Sequence, residues 1–118
     1  MYQSHYTLNE FEVLEISGEL DCVTIAENKD KMERIPEKFQ QHILCDLSKV
    51  TFMDSSGIGA LVFLFKRLRE QNRKLILAGL NGQPKELTTL LRINRAIPVY
   101  NDVYSCIQTS VDSAEQPC

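Results

Sequence analysis

Residues 54–57 of the chain, Asp-Ser-Ser-Gly, stand between two apolar segments of different period. The run before them, 43–47, is short and rich in apolar residues, as in a strand at the centre of a sheet. After them, apolar side chains recur at helical spacing from Ile58 to Leu68 and form one face of a helix. Small polar residues are preferred where helices begin. The segment therefore predicts a strand that runs through a loop into a helix, which is the building block of α/β folds.

Strands and helices are predicted to alternate along the whole chain. The chain begins with two strands around a turn at Asn9-Glu10, followed by a helix capped by Asp21 and ended by Pro36. Next come the strand at 43–47, the helix that follows residue 54 and a strand over 74–78. A helix opened by Pro84, a strand over 97–100 and a helix over 103–108 complete the order. This order predicts an α/β fold with a mixed, mostly parallel β-sheet, an N-terminal hairpin-like pair of strands and about four α-helices. We expect a single domain over residues 1–110 and a short polar C-terminal tail over 111–118.

Some positions carry predictions about burial or about where an element ends. The adjacent apolar pair Val13-Leu14 interrupts a strand alternation, which indicates a bulge or burial on both faces of the sheet. Cys45 lies in an apolar strand and is predicted to be a buried thiol. Asn94 is expected to end the preceding helix in the left-handed conformation. The apolar stripe of that helix is predicted to consist of Leu87, Leu90 and Leu91.

Charge and composition exclude some classes of function. A net charge of −3 does not suit a protein whose main partner is nucleic acid, because phosphate contacts need a concentrated basic surface. The longest apolar run, Ile58–Phe65, is too short to cross a membrane, and the N-terminus shows no export signal. The four cysteines are scattered without a Cys-x-x-Cys pair, as in a reduced protein. We therefore expect a cytoplasmic protein with no direct nucleic-acid contact and no membrane span.

The motifs of the common kinds of enzyme are also missing. A serine hydrolase elbow needs glycines two residues before and after its nucleophile, and neither Ser55 nor Ser56 has both. His5 and His42 lie in polar surroundings, and the sequence pairs neither with a carboxylate that could orient it. Gly57-x-Gly59 lacks the third glycine of a dinucleotide fingerprint, and no P-loop occurs. The dispersed histidines and cysteines give no metal-ligand spacing, so we expect no enzymatic activity, no metal and no cofactor.

The Asp-Ser-Ser-Gly segment has two interpretations from its chemistry alone. Asp and Ser are preferred helix caps, so one of the three polar residues could be present only to begin the helix. A phosphoserine at the same place would add a charge of about −1.5 to −2 at pH 7. The dipole at a helix N-terminus favours negative charge, so the fold could tolerate the phosphate while an acidic or apolar partner would be repelled. The residues leave the cap and the phosphorylation switch equally open.

Several segments together match the pattern of one known family. They are Gly18-Glu-Leu-Asp21 with Thr24, Ile43–Ser48, Phe52–Gly59, Leu75–Gly79, Leu90–Asn94 and Ile97–Tyr100. In these segments the chain resembles the STAS domain, the fold of bacterial anti-sigma factor antagonists, over roughly residues 3–110. Asp-Ser-Ser-Gly-x-Gly is the most specific of them. Two features depart from the family: the first predicted helix is unusually polar, and Asn94 stands where a glycine is customary.

The resemblance implies regulation by partner switching. The unphosphorylated form of such a protein binds an anti-sigma factor that is also a serine/threonine kinase, and so frees the sigma factor. Phosphorylation breaks the complex, and a PP2C-like, metal-dependent phosphatase restores the unmodified form. By position the phosphoacceptor is Ser55, with Ser56 as the fallback. The further residues implied in kinase and partner binding are Asp21, Asp54, Gly57, Ile58 and Gly59.

Two other functions remain open beside partner switching. One is a constitutive STAS subunit of another complex, such as a lipid-transport ABC system or a non-sigma regulatory pathway, in which Asp-Ser-Ser-Gly only caps a helix. The other is a sensor that binds a small ligand on the same surface. The protein is expected to be a monomer or a weak dimer. Full function of a Ser55→Ala, Ser56→Ala double variant would favour the constitutive subunit, and calorimetry against candidate ligands would separate the sensor.

Overall fold

The computed structural model describes residues 1–113, which form five strands, six α-helices and one short 3-10 helix. The strands are β1 (Tyr2–Leu8), β2 (Phe11–Leu20), β3 (His42–Met53), β4 (Leu75–Ala78) and β5 (Val99–Tyr100). The helices are α1 (Cys22–Glu27), α2 (Lys29–Glu33), α3 (Ile35–Lys38), α4 (Ser55–Glu70), α5 (Gly82–Leu90) and α6 (Val103–Ser113), with the 3-10 helix at Ile93–Arg95. No helix within this part of the chain is long and apolar enough to cross a membrane.

The five strands form one sheet in chain order, β1-β2-β3-β4-β5. β1 and β2 pair antiparallel around Asn9, whose φ of 55° suits a tight turn, and the remaining neighbours pair parallel. Parallel strands that follow one another in a single direction place their right-handed connections on one face of the sheet. The predicted α/β fold, its mostly parallel sheet and its N-terminal hairpin are therefore confirmed.

Each face of the sheet carries its own hydrophobic core. The larger core lies under α2, α3 and α4, and the smaller one lies under α6. Val13 belongs to the smaller core and Leu14 to the larger, and both are fully buried, so this pair is buried on both faces rather than bulged. The ladder between β2 and β3 instead shifts register after Glu15 and again after Gly18. The predicted burial of Cys45 is confirmed.

The helix predicted between Asp21 and Pro36 is divided into three short helices. Asp21 caps the first of them as expected, but Pro36 lies in the first turn of α3 instead of ending a helix. Proline is accepted there because the first-turn N–H groups have no partner within the helix. The polar stretch 27–31 gives no continuous apolar face, and only Met32 of α2 is buried. The expectation of about four helices was therefore too low.

The predicted apolar stripe of α5 is right for Leu87, which is half-buried against the larger core, and wrong for Leu90 and Leu91. Leu90 and Leu91 are 75% and 47% exposed, whereas Pro84 and Thr88 are the buried residues of the helix. The Thr88 hydroxyl donates a hydrogen bond to the Pro84 carbonyl at 2.7 Å, which satisfies it in the core. The left-handed residue that follows the helix is Arg92, with φ 57°, and Asn94 lies in the 3-10 helix.

Two elements extend further than predicted. β3 continues to Met53, because the end of β2 pairs with it at Leu20 after the two register shifts. This extension carries the chain directly to Asp-Ser-Ser-Gly. α6 continues to Ser113, which lies within the segment predicted as a tail, and residues 114–118 lie outside the described part of the chain.

His5 has a carboxylate partner that the sequence did not indicate. Its Nδ1 lies 2.7 Å from Oε2 of Glu12, a residue that is only 4% exposed, and Thr7 donates to the other oxygen at 2.8 Å. The ring of Phe39 packs edge-on against His5 with the centroids 5.0 Å apart. This cluster joins β1, β2 and the loop after α3, and it depends on strand register rather than on spacing along the chain.

Candidate functional site

Two helix N-termini lie side by side at one end of the sheet. A single residue separates each helix from the strand before it: Asp21 lies between β2 and α1, and Asp54 lies between β3 and α4. Because Leu20 and Met53 are paired in the parallel ladder, the helices that follow the two strands begin at the same edge of the sheet. This arrangement brings together all seven residues predicted to bind a kinase or partner, which are residues 54–59 and Asp21.

The carboxylate of Asp54 serves both helices. Its Oδ1 accepts hydrogen bonds from the backbone N–H groups of Ser56 at 2.8 Å and Gly57 at 3.2 Å, so it is the N-cap of α4. Its Oδ2 accepts from the backbone N–H of Cys22 at 3.0 Å, at the start of α1. The sequence predicted a helix cap among Asp54 and the two serines, but the bond to Cys22 spans too much sequence for a local pattern to indicate it. Asp54 therefore fixes the position of the two helix ends relative to each other.

Asp21 caps the neighbouring helix. Its Oδ1 accepts from the Thr24 backbone N–H at 2.8 Å, and this bond, together with one from the Thr24 hydroxyl, lowers the pKa of the Asp21 carboxyl. A lowered pKa keeps the carboxylate charged at neutral pH. Asp21 and Asp54 thus present two negative groups beside α4. Within residues 1–113 no lysine or arginine forms an ion pair with either of them.

Gly57 and Gly59 have different roles in the fold. A Cβ on Gly57 would lie 2.6 Å from the carbonyl oxygen of Leu20 and 2.7 Å from Cγ of Met53, so the close contact of α4 with β2 requires glycine. A Cβ on Gly59 would meet no other heavy atom of the described chain within 4 Å, and Gly59 is exposed. Gly57 is therefore needed for packing within the fold, whereas Gly59 can be approached closely only from outside the chain.

The two serines differ in exposure. Ser55, the first residue of α4, is exposed, and its hydroxyl makes no hydrogen bond to any described residue. Ser56 is half-buried, and Ile58 beside it is buried in the larger core. At this helix start, Asp54 already bonds the backbone N–H groups of Ser56 and Gly57. A group attached to the Ser55 hydroxyl would consequently face solvent beside the Asp54 carboxylate.

Apolar surface continues from Ser55 along the same side of the molecule. Val23 of α1 is 61% exposed, and Gly59 lies one helical turn after Ser55. Beyond Gly59, an open cleft of about 200 Å³ separates α1 and α2 from α4. It is lined by Ile25, Ala26, Lys29, Met32, Glu33, Ala60 and Phe63. The surface around Ser55 therefore combines exposed apolar atoms with two carboxylates.

The surroundings of Ser55 do not resemble a catalytic centre. His42 begins β3 whereas Ser55 follows its end, so the length of the strand separates them. His5 pairs in register with Leu14, far from the end of β2. Within the described residues no group of three or more His, Cys, Asp or Glu is placed to hold a metal ion. What the arrangement offers is an exposed hydroxyl on a rigid helix end, surrounded by a surface that a second protein can contact.

Comparison with known proteins identifies the family. The family model described as the STAS domain matches residues 4–106. The chain belongs to the STAS domain family. Among curated relatives, the anti-sigma-B factor antagonist of Listeria monocytogenes is 31% identical over 86 residues, covering 73% of this chain and 75% of that protein. The resemblance of the sequence to anti-sigma factor antagonists is thus confirmed.

Solved structures share the fold of this STAS domain. An anti-sigma factor antagonist from Mycobacterium paratuberculosis matches with a TM-score of 0.80 and 18% identity over 92% of each chain. SpoIIAA, an anti-sigma factor antagonist, matches in its unphosphorylated form with a TM-score of 0.64 and 19% identity, over 98% of this chain and 100% of that one. Its phosphorylated form, from Bacillus, matches with a TM-score of 0.65 and 17% identity, over 92% of this chain and 99% of that one. At these identities the matches establish the fold.

Proposed function

We propose that this STAS domain is an anti-sigma factor antagonist that acts by partner switching. In its unphosphorylated form it binds an anti-sigma factor with serine/threonine kinase activity and so releases a sigma factor. Phosphorylation of Ser55 by that kinase dissociates the complex, and a PP2C-like phosphatase regenerates the binding form. The domain itself is a cytoplasmic, non-enzymatic binding module.

The observation that carries the proposal is the state of the Ser55 hydroxyl. It is exposed at the start of α4, and among the described residues it has no hydrogen-bond partner, while Asp54 performs the capping. A serine that only capped the helix would use its own oxygen on the N–H groups that Asp54 holds. The fold therefore does not need the Ser55 hydroxyl, which leaves it available to a kinase.

The charges around Ser55 explain how a phosphate would act. A phosphoserine adds a charge of about −1.5 to −2 at pH 7, next to the carboxylates of Asp54 and Asp21. No basic side chain in the described part pairs with these carboxylates, so this chain offers the phosphate no cation at that point. The modification would strengthen a negative surface without forming bonds that reorganise the fold. A partner that binds the apolar surface beside Ser55 would then be repelled and would lose its contact area.

The relatives point in the same direction. The Listeria monocytogenes protein is named an anti-sigma-B factor antagonist, and SpoIIAA is described both unphosphorylated and phosphorylated. The match of this chain to the two forms of SpoIIAA is of the same quality, which agrees with a phosphate that leaves the fold in place.

Binding by Ser55 variants tests the proposal. Tagged wild-type, Ser55→Ala and Ser55→Asp proteins are used to capture partners from the native cells, and bound proteins are identified by mass spectrometry. We expect wild type and Ser55→Ala to retain an ATPase-fold anti-sigma factor, and Ser55→Asp to retain at least about tenfold less, because the added carboxylate acts by repulsion. Ser56→Ala is the matched control and should bind as wild type does. Equal retention by Ser55→Ala and Ser55→Asp would contradict an electrostatic switch at this residue.

A further inference from the structure

The strand that carries the chain to Ser55 lacks a neighbouring strand on one side near its end. β4 ends at Ala78, which pairs with Asp46, so the later residues of β3 have no described strand beside them in that direction. On the other side β2 continues to pair as far as Met53. At the end of β3, the backbone groups that face β2 are therefore bonded to a strand. The backbone N–H and C=O groups on the opposite side need a different hydrogen-bond partner.

The side-chain amide of Gln83 supplies that support at Met53. Gln83 Oε1 accepts a hydrogen bond from the Met53 backbone N–H at 2.8 Å, and Gln83 Nε2 donates to the Met53 carbonyl at 2.7 Å. Both backbone groups of one residue are therefore bonded by a single side chain, as they would be by a partner in a sheet. Gln83 lies at the N-terminal end of α5, so these bonds connect α5 to the end of β3.

Met53 connects the Gln83 hydrogen bonds to the start of α4. Its side chain is fully buried, and its Cγ would be 2.7 Å from a Cβ on Gly57, so it packs directly beneath the first turn of α4. The next residue, Asp54, donates its backbone N–H to the Leu20 carbonyl at 3.3 Å, caps α4 and accepts a hydrogen bond from the start of α1. A shift of Met53 would consequently move the Asp54 cap and, with it, Ser55.

We propose that Gln83 is a positioning residue for the Ser55 switch. By holding both backbone groups of Met53, it fixes the start of α4 in the orientation that a kinase recognises. This role rests on the proposed function of Ser55, because it concerns how that serine is presented. The hydrogen bonds of Gln83 go to the Met53 backbone and not to the Ser55 hydroxyl, so Gln83 acts through Met53 and Asp54.

Amide hydrogen exchange of the full-length protein measures the positioning without any kinase. Gln83→Met keeps the length of the side chain and removes both hydrogen bonds. We expect the amides of Met53, Ser56 and Gly57 to exchange at least about tenfold faster, in excess of any change at Leu64 and Leu68 further along α4. Asn81→Ala is the control, because this amide lies in the same loop but bonds to the carbonyls of Ser48 and Gly79 instead. It should leave exchange at the start of α4 unchanged.

The second readout is phosphate on Ser55 in the native cells, measured on the tryptic peptide 50–66. We expect the phosphorylated fraction to fall severalfold in Gln83→Met and to stay at the wild-type level in Asn81→Ala. Equal acceleration of exchange at all the amides named, or unchanged phosphate on a loosened variant, would overturn the positioning role while leaving the switch itself in place. Wild-type protein without phosphate on Ser55 would instead overturn the proposed function and this role with it.

A milder variant covers the case in which Gln83→Met does not fold. Gln83→Glu keeps an acceptor for the Met53 N–H, but at neutral pH it places a carboxylate against the Met53 carbonyl in place of a donor. We expect local acceleration at the same amides at pH 7 and partial recovery as the pH is lowered toward 5, because the protonated acid can again donate to that carbonyl. The rates are compared with those of wild type at the same pH, because amide exchange is itself base-catalysed, and a variant-to-wild-type ratio at these amides that does not fall toward pH 5 would overturn the role.

Discussion

At the scale of single residues, the site divides its tasks between neighbours. Asp54 caps α4 and holds the start of α1, so it fixes the geometry, while Ser55 beside it is left without a structural task in the described part. This division allows one residue to be modified while the other maintains the fold. It also means that substitutions at Asp54 and Ser55 should have different consequences, since only the first disturbs a helix cap, at about 1 kcal/mol.

The two glycines of the motif give a paired prediction. Gly57→Ala should destabilise the protein by about 2 kcal/mol, because its Cβ would collide with the Leu20 carbonyl. Gly59→Ala should stabilise it by up to about 1 kcal/mol, because alanine is the better helix former and the new methyl group meets nothing in the described fold. Urea denaturation measures both free energies of unfolding.

The same pair tests the binding surface. We expect Gly59→Ala to bind its partner several-fold more weakly in spite of its greater stability, because the methyl group would stand on the surface beside Ser55. Unchanged partner affinity for Gly59→Ala would remove Gly59 from the proposed contact surface, and a Gly57→Ala protein as stable as wild type would contradict the described packing of α4 on β2.

At the scale of secondary-structure elements, α4 is anchored to other elements at both of its ends. Asp54 anchors its start, and beyond its end Arg73 reaches across to the loop between α3 and β3. The Arg73 guanidinium donates to the Gln41 carbonyl at 2.9 and 2.6 Å and to the Pro36 carbonyl at 2.7 Å. The basic residues clustered over 66–74 suggest a solvated helix end from the sequence alone. Arg73 is instead partly buried, and this burial lowers the pKa of its guanidinium.

Replacing Arg73 should therefore destabilise the fold, whereas replacing a neighbouring arginine should not. We expect Arg73→Ala to lower the free energy of unfolding by about 2 kcal/mol, because it leaves two backbone carbonyls without their charged donor. Arg69→Ala, at an exposed position of α4, should change it by less than about 0.5 kcal/mol. Thermal or urea unfolding of the two variants compares them directly, and equal stabilities would contradict the role given to Arg73.

Local sequence signals predicted some elements well and others poorly. The start of α4 was predictable, because the capping preference of Asp54 and the apolar period that begins at Ile58 are properties of adjacent residues. Pro36 was misjudged, because proline is compatible both with the end of a helix and with the first turn of the next. The Gln83 bonds to Met53 and the His5 pairing with Glu12 could not be inferred, since both depend on which strands become neighbours.

At the scale of the whole molecule, a hydrophobic core covers each face of the sheet, and each core contains one cysteine. Cys45 is fully buried in the larger core and Cys106 in the smaller one, whereas Cys22 is exposed at the start of α1. Burial, together with the nearby charge of Asp46, raises the pKa of the Cys45 thiol to about 12. The folded protein therefore keeps Cys45 protonated at a pH where an exposed thiol, with a pKa of about 8.5, is largely ionised.

Thiol labelling at pH 9 tests this arrangement. In a Cys118→Ser background we expect Cys22 to react at once and Cys45 and Cys106 to react only at the rate of unfolding. Adding denaturant should expose both buried thiols together, because the cores share one sheet. The labelled residues are identified by peptide mapping. Rapid labelling of Cys45 in the native protein would contradict the packing of the larger core.

The central claim is that Ser55 carries the phosphate that switches binding. The most direct measurement is to purify the protein from its native cells, digest it with trypsin and map phosphate on the peptide 50–66 by fragmentation that separates Ser55 from Ser56. The proposed function predicts phosphate on Ser55, and its loss in a Ser55→Ala protein. Protein recovered both free and bound to its anti-sigma factor, with phosphate on neither serine in either pool, would contradict it.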